Sequence, residues 1–320
     1  MRIIVLGVTA WLLGALPALA GCDATPPLPA SLASAQSVAD YAPVLKLCKK
    51  EGETGVAIRT MTLRGEAALL LADPQTLATK LERAACWTCA QTSDEALADT
   101  RFVRAVERAA QAPGLVHRGF LSNAGLKHGE GGGAYVTGDL CPSRKPLEKE
   151  FLASLEGERT PVALSISGLW LKHHFEDFSW LMGEVARGRL EIAWVNHTYS
   201  HPFKKGVAEA ENFLLTSGVD ADREIEETER LLIANGGVPA VFFRFPGLVS
   251  SSPLMKAVAA HHLVTLGADA WLALGETARA GSIILVHPNG NEPQGLKIFS
   301  RAAADGRLPK PFKPLDEAPE

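Results

Sequence analysis

The sequence has no excess of positive charge: 32 Lys and Arg stand against 36 Asp and Glu, a formal net charge of −4. Without a basic stripe to neutralise phosphates, no nucleic-acid partner is expected. No apolar run of eighteen residues follows position 22, so no interior membrane span is expected. Cysteine is scarce, 5 in 320 residues, and no second CxxC or CxxH accompanies Cys86-Trp87-Thr88-Cys89 to complete a zinc site. That pair therefore reads as part of the disulfide framework of an exported protein. At 47% hydrophobic and 21% charged, the chain is globular, long enough for one large α/β domain or two ordinary ones.

What is present begins with a leader. Arg2 precedes an apolar run from Ile3 to Ala20 that ends in small residues, the form of a secretory signal over 1–21. Ala18-x-Ala20 suits ordinary cleavage, whereas Leu19-Ala20-Gly21-Cys22 resembles a bacterial lipobox whose cysteine becomes the acylated N-terminus. Parity favours the lipobox, because lipidating Cys22 leaves an even set at 48, 86, 89 and 141. Contact with the membrane is then expected only through a lipid anchor at Cys22. Asp23 adds a weak hint of inner-membrane retention, and 22–35, rich in Pro and Ala, reads as a tether.

Residues 36–128 read as an N-terminal α+β region. Val38, Tyr41, Val44 and Leu45 suggest a helix over 36–50; 56–72 suggests a hairpin turned at Arg64-Gly65; helices are expected near 75–86 and 94–111, the second begun by Ser93. Nothing catalytic stands out there. Gly129-Glu130-Gly131-Gly132-Gly133 marks a composition break, and it lacks the lysine and strand–helix context of a phosphate loop. Beyond it, over 129–320, short apolar strands alternate with helices. The strands are read at 134–137, 161–167, 190–195, 240–245, 263–267 and 282–286, and the helices include 175–187 and 221–234. This alternation implies parallel strands, in an open sheet or an incomplete barrel.

In such folds reactive residues gather past the C-terminal strand ends. Those ends here read Thr137-Gly138-Asp139-Leu140-Cys141, Asn196-His197-Thr198-Tyr199-Ser200-His201, Arg244-Phe245-Pro246-Gly247, Asp269-Ala270-Trp271 and Leu285-Val286-His287. If 197–201 makes one helical turn, both imidazoles lie on one side and can share a divalent ion, with a rim carboxylate as a further ligand. Zinc fits such a set best. His173-His174 reads as a structural pair, and His261-His262 as a helix end.

Taken together, these motifs resemble the polysaccharide deacetylases of the NodB-homology type, carbohydrate esterase family 4. His197-Thr198-Tyr199-Ser200-His201 matches that family's His-(Ser/Thr)-x-x-His motif, Arg244-x-Pro246 its Arg-x-Pro and Leu285-x-His287 its Leu-x-His, in order over about 134–290. The resemblance implies a distorted (β/α) barrel and a metal-dependent hydrolase that removes acetyl groups from an N-acetylated polysaccharide. It also implies roles: Asp139 as base, His287 as acid, Arg244 as the clamp on the base, and His197, His201 and Asp139 at the metal. Trp271 and Leu285 would wall the acetyl pocket, and Asp269 would orient His287.

One position departs from the family pattern. The family's second aspartate is replaced by Leu140, which cannot ligate. Either Asp139 moves to the metal, or two histidines and waters hold a weaker ion, or the fold persists as a non-catalytic carbohydrate-binding or envelope-assembly protein. If position 140 faces the ion, Leu140→Asp should tighten metal binding. The expectation carried forward is an exported, periplasmic or cell-surface lipoprotein acting on an envelope polysaccharide with zinc.

Overall fold

The structure is a computed structural model that describes residues 21–90, 95–155 and 159–319. The proposed signal segment lies outside the described residues apart from Gly21, and so does Ser93.

The N-terminal part is an antiparallel sheet of β1 (Val38–Lys50), β2 (Glu53–Leu63), β3 (Glu66–Ala72), β4 (Thr79–Arg83) and β5 (Thr88–Cys89), in the order β4-β3-β2-β1-β5. The β2–β3 hairpin turns at Arg64 and Gly65, as its sequence implies, with both residues at positive φ. That left-handed pair matches the twist of the flanking strands. Of the expected helix at 36–50, Val38–Lys50 is strand, entered through a short 3-10 turn at Ala35–Ser37. Register breaks between Ala39 and Ala42 and between Pro43 and Lys46 destroy the alternation that would have revealed β1. The stretch 75–86 likewise holds β4, reached through a turn in which Asp73 accepts from the backbone N–H of Gln75 and Thr76.

Helices α1 (Glu95–Ala98) and α2 (Arg101–Gln111) follow. Thr100 caps α2 by accepting from Val103 N–H, and Phe102, Ala105, Val106 and Ala109 bury one stripe. A small sheet joins β6 (Leu115–His117) and β7 (Phe120–Ser122) to β12 (Val249–Ser250).

The rest is a curled seven-stranded parallel sheet, an incomplete (β/α) barrel. Its strands are β8 (Tyr135–Leu140), β9 (Thr160–Ile166), β10 (Leu190–Asn196), β11 (Pro239–Phe243), β13 (Val264–Thr265), β14 (Ala270–Trp271) and β15 (Ile283–Val286). They run in the order β13-β11-β10-β9-β8-β15-β14. Between them lie α3 (Lys149–Leu155), α4 (Gly168–His173), α5 (Phe175–Ala186), α6 (Ala221–Ala234) and α7 (Ser252–Ala260), and α8 (Pro293–Ala304) follows β15.

Alternation along these strands divides two apolar layers. Val136, Leu140, Leu164, Ile166, Ile284 and Val286 face outward and pack with Phe151, Trp170, Phe178 and Phe299 of the helices. Tyr135, Ala163, Val195, Ile283 and Leu285 face inward, in one cluster with Val56, Ile58, Leu70 and Phe102 of the N-terminal part. A single core thus runs across residue 129.

Residues 22–35 are not a loose tether. Ala24 N–H donates to Leu81 and Arg83 N–H to Cys22 along β4, and Asn235 at the end of α6 exchanges hydrogen bonds with Ala33. Cys22 is disulfide-bonded to Cys86, and Cys48 to Cys89. This corrects the lipid anchor at Cys22, since a sulfur bonded to Cys86 has no valence left for an acyl-glycerol thioether. The unpaired cysteine is Cys141, which is buried.

Candidate active site

Period-two alternation places Asp139 and Cys141 on the inner side of β8 and its exit, with Leu140 turned outward into the helix-packed layer. Position 140 therefore does not face an ion, contrary to the expectation for Leu140→Asp.

The rim residues meet around Asp139. Arg244, directly after β11, donates from Nη1 to Asp139 Oδ1 at 2.9 Å and to Thr137 Oγ1 at 2.8 Å, and from Nη2 to the Gly267 carbonyl at 2.9 Å. Oδ2 of Asp139 stands 3.7 Å from His197 Nε2 and 3.9 Å from His287 Nε2. One carboxylate oxygen is thus held in a fixed charge-assisted bond, while the other faces two imidazoles across a gap. Burial alone would raise the pKa of Asp139, but Arg244, His197 and His287 outweigh it and hold the carboxyl well below its usual range. It is ionised at neutral pH.

His197 and His201 share a side without the helical turn anticipated for them. The segment after β10 is an irregular loop, with Thr198 at φ 66° and His201 at φ 45°. Such left-handed non-glycine residues persist only where their surroundings hold them. Here Thr198 N–H donates to Asn196 Oδ1 at 3.0 Å, and Glu224 of α6 accepts from Ser200 N–H at 2.7 Å and Ser200 Oγ at 2.6 Å. The two imidazole centres lie 4.8 Å apart.

The protonation pattern suits a cation. His197 Nδ1 lies 2.8 Å from the Arg244 carbonyl, which can only accept, so Nδ1 carries the hydrogen and the Nε2 lone pair points into the site. Burial lowers the pKa of His197, and His201 is pushed down to about 3 by burial and by the neighbouring His197. Both are neutral near pH 7. His201 Nε2 is buried with no hydrogen-bond partner. Cys141 Sγ lies 3.5 Å from His197 Nε2, and the donor atoms of Cys141, His197 and His201 all fall within 4.8 Å of one another. An orphaned imidazole nitrogen beside a second imidazole and a thiol fits a divalent ion.

The remaining assignments divide. Trp271 leans over His287 with ring centres 5.8 Å apart, and its Nε1 donates to Glu292 Oε2 at 2.8 Å. Leu285 is buried one strand period below His287, in the inner core under the rim. Asp269 does not reach His287. Its Oδ2 contacts His128 Nδ1 at 2.8 Å and its Oδ1 accepts from Ile283 N–H, which turns the carboxylate away from the rim. Glu292 stands in the expected place instead, with Oε2 2.8 Å from His287 Nδ1, a close ion-pair contact that falls outside hydrogen-bond geometry. Burial opposes ionisation of Glu292, but His287 and Trp271 bring its pKa below the usual range.

Sequence reasoning passed over Cys141, Glu292 and Asn289, whose Nδ2 donates to the Cys141 carbonyl at 2.8 Å. For Cys141 a signal existed, since it lies two residues past Asp139 and so shares its face. His174 is structural, as anticipated, bridging the Ser143 carbonyl and Asp177.

No protein-family model matches the chain. Among solved structures, similar chain paths occur in family 4 carbohydrate esterases, of which three are the following. A Streptomyces lividans enzyme in complex with acetate is 20% identical with TM-score 0.39, covering 57% of this chain and 92% of that one. Bacillus subtilis PdaA is 18% identical with TM-score 0.44, covering 61% and 84%. A pseudoenzyme of the family from Bacillus anthracis is 16% identical with TM-score 0.41, covering 62% and 70%.

Proposed function

We propose that this chain is a metal-dependent hydrolase that removes acetyl groups from an N-acetylated polysaccharide of the cell envelope. The observation that carries the reading is the posture of Asp139, gripped at Oδ1 by Arg244 while Oδ2 faces both His197 and His287. A carboxylate held in this way can take a proton from an attacking water in one orientation only. His287, backed by Glu292 at Nδ1, presents Nε2 to the same space and can return a proton to the departing amine. Arg244 keeps the base ionised and fixed. Trp271, tied to Glu292, closes the apolar side of the acyl pocket.

His197 and His201 would hold a divalent ion, zinc by the chemistry of the donors. When bound, such an ion supplies Lewis-acid polarisation of the acyl carbonyl. We further propose that the protein works outside the cytoplasm, after cleavage of its leader, because Cys22–Cys86 and Cys48–Cys89 suit an oxidising compartment.

The test is acetate release from a panel of N- and O-acetylated glycans, with and without chelator. Chelator-sensitive release from an N-acetylated polymer, abolished together with metal content by His201→Ala, is the expected result. A protein that binds glycan, carries no metal and releases no acetate would establish the carbohydrate-binding alternative.

A further inference from the structure

We infer that the third protein ligand of this site is the Cys141 thiolate, so that the chain carries a Cys-His-His centre selective for thiophilic ions, with Asp139 left free as a base. The inference deepens the hydrolase reading and rests on it for the purpose of the ion, although the ligand set can be tested apart from any reaction.

Four observations converge on the thiol. Cys141 is the free cysteine among the described residues, because the other four are closed in two disulfides. Its Sγ stands 3.5 Å from His197 Nε2. Zinc–sulfur and zinc–nitrogen bonds of ordinary length at a tetrahedral angle put sulfur and nitrogen about 3.6 Å apart. A thiol–imidazole hydrogen bond would account for that one contact, yet it leaves His201 Nε2 buried and unpartnered on a ring that has a nitrogen within 4.8 Å of the same sulfur. The backbone of Cys141 is also pinned, its carbonyl accepting from the buried Asn289 side chain at 2.8 Å, so the thiol's place at the rim is built in.

Asp139 falls outside the mutually close donor triplet. This answers the difficulty posed by Leu140: the missing carboxylate ligand is replaced from the next position along the chain, whose side chain alternation turns inward. On binding, the S–H bond breaks, a sulfur–metal bond forms, and the proton leaves to solvent. A thiolate with two imidazoles favours zinc or cobalt over magnesium or manganese, which prefer oxygen donors.

The test uses the full chain with its disulfides intact, stripped of metal and titrated with Co²⁺. The expected result is one cobalt per chain, with an intense thiolate-to-cobalt charge-transfer absorption in the near ultraviolet. Cys141→Ser should abolish that absorption and weaken cobalt binding by more than the roughly 10–100-fold that losing a partner behind a ligand costs. Cys141→Asp should restore binding without the absorption, and circular dichroism of the metal-free variants checks that they fold. Wild-type protein that binds cobalt without the absorption, or binds none, overturns the inference, and so does an absorption that survives in Cys141→Ser. The charge-transfer signal with no acetate release from any glycan would sink the hydrolase reading and leave the Cys-His-His centre standing. Metal-dependent release without the signal would do the reverse.

Discussion

Two buried arginine–carboxylate pairs, one joining the N-terminal sheet to α6 and one at the strand ends of the parallel sheet, show what separates a structural ion pair from a reactive one. In the first, Arg59 of β2 grips Glu229 of α6 through Nε at 2.8 Å and Nη2 at 3.1 Å. Tyr41 donates to the same carboxylate, and Asn196 Nδ2 approaches it at 3.3 Å. Both Glu229 oxygens are saturated, and the pair ties the N-terminal sheet to the loop that carries His197. In the second, Arg244 satisfies Asp139 at one oxygen and leaves the other facing two imidazoles. Both arginines are fully buried, so burial does not distinguish the pairs. What distinguishes them is the valence left over: a saturated carboxylate can only hold, whereas one with a free lone pair can take a proton.

Substituting each carboxylate by its amide should therefore separate the two. Asp139→Asn is expected to lower acetate release by about 10²–10⁴-fold, the usual range for losing a positioned base. Because it also leaves the fully buried Arg244 without its carboxylate, its urea midpoint should fall as well, so the loss of acetate release is read on protein shown to be folded. A variant that kept near-full activity would show that Asp139 is only a brace. Glu229→Gln leaves Arg59 as an uncompensated buried charge and should destabilise the fold by about 3–5 kcal/mol in denaturant titrations. If its midpoint were unchanged, the structural half of the contrast would collapse.

Leu140→Asp sharpens the comparison by adding a carboxylate with no arginine at all. Because Leu140 packs outward among Ile166, Trp170 and Leu171, the new group should destabilise by several kcal/mol and leave metal affinity unimproved. Tighter cobalt binding would mean that the strand presents position 140 to the ion after all.

Acid offers a graded probe. His201 titrates at about 3 and His262, behind the N-terminal sheet, at about 4, each depressed chiefly by burial. The unfolded chain binds protons at these histidines from about pH 6.5 downward, while the folded chain refuses them. Their contribution to the stability of the metal-free protein is therefore complete above about pH 6.5. It is lost as pH falls toward 4 and then 3. Urea midpoints measured across that window should decline, less steeply in His262→Gln; a flat profile in both proteins would contradict the burial of these rings.

The smallest expected effect concerns the support of His287. Glu292→Gln should slow acetate release by about 10-fold, in the range for losing a partner that orients a reacting imidazole. Asp269→Asn should leave it within about 2-fold, since that carboxylate serves His128 and Ile283 instead. Reversed magnitudes would restore Asp269 to the role its motif suggests.

Much of the parallel half could be read from the chain. Strands at 134–137, 161–167, 190–195, 240–245, 263–267 and 282–286 all have counterparts, and α6 occupies the anticipated 221–234. Short buried strands between amphipathic helices leave a local trace in the order of residue types. The two-residue β14 left none. The N-terminal half was harder, because bulges in β1 hide its alternation and Pro43 interrupts it. At the site, parity misled: counting Cys22 as the odd cysteine assigned Cys141 to a disulfide and removed it from the chemistry. Glu292 lies in the same loop as His287, but no regular spacing marks it, since the contact depends on how that loop folds back and on Trp271 from another strand.

The order of residues by itself determined which side chains arrive at strand ends, because alternation and strand–helix periodicity are local properties of the backbone. It placed Asp139, His197, Arg244 and His287 on one rim. Only the tertiary structure decided which oxygen of Asp139 is occupied, which carboxylate stands behind His287 and which cysteine is left unpaired. The first and the last depend on contacts between residues far apart in the chain, such as Arg244 with Asp139 and Cys22 with Cys86, where local spacing carries no information; the second depends on how the loop after β15 folds Glu292 back onto His287.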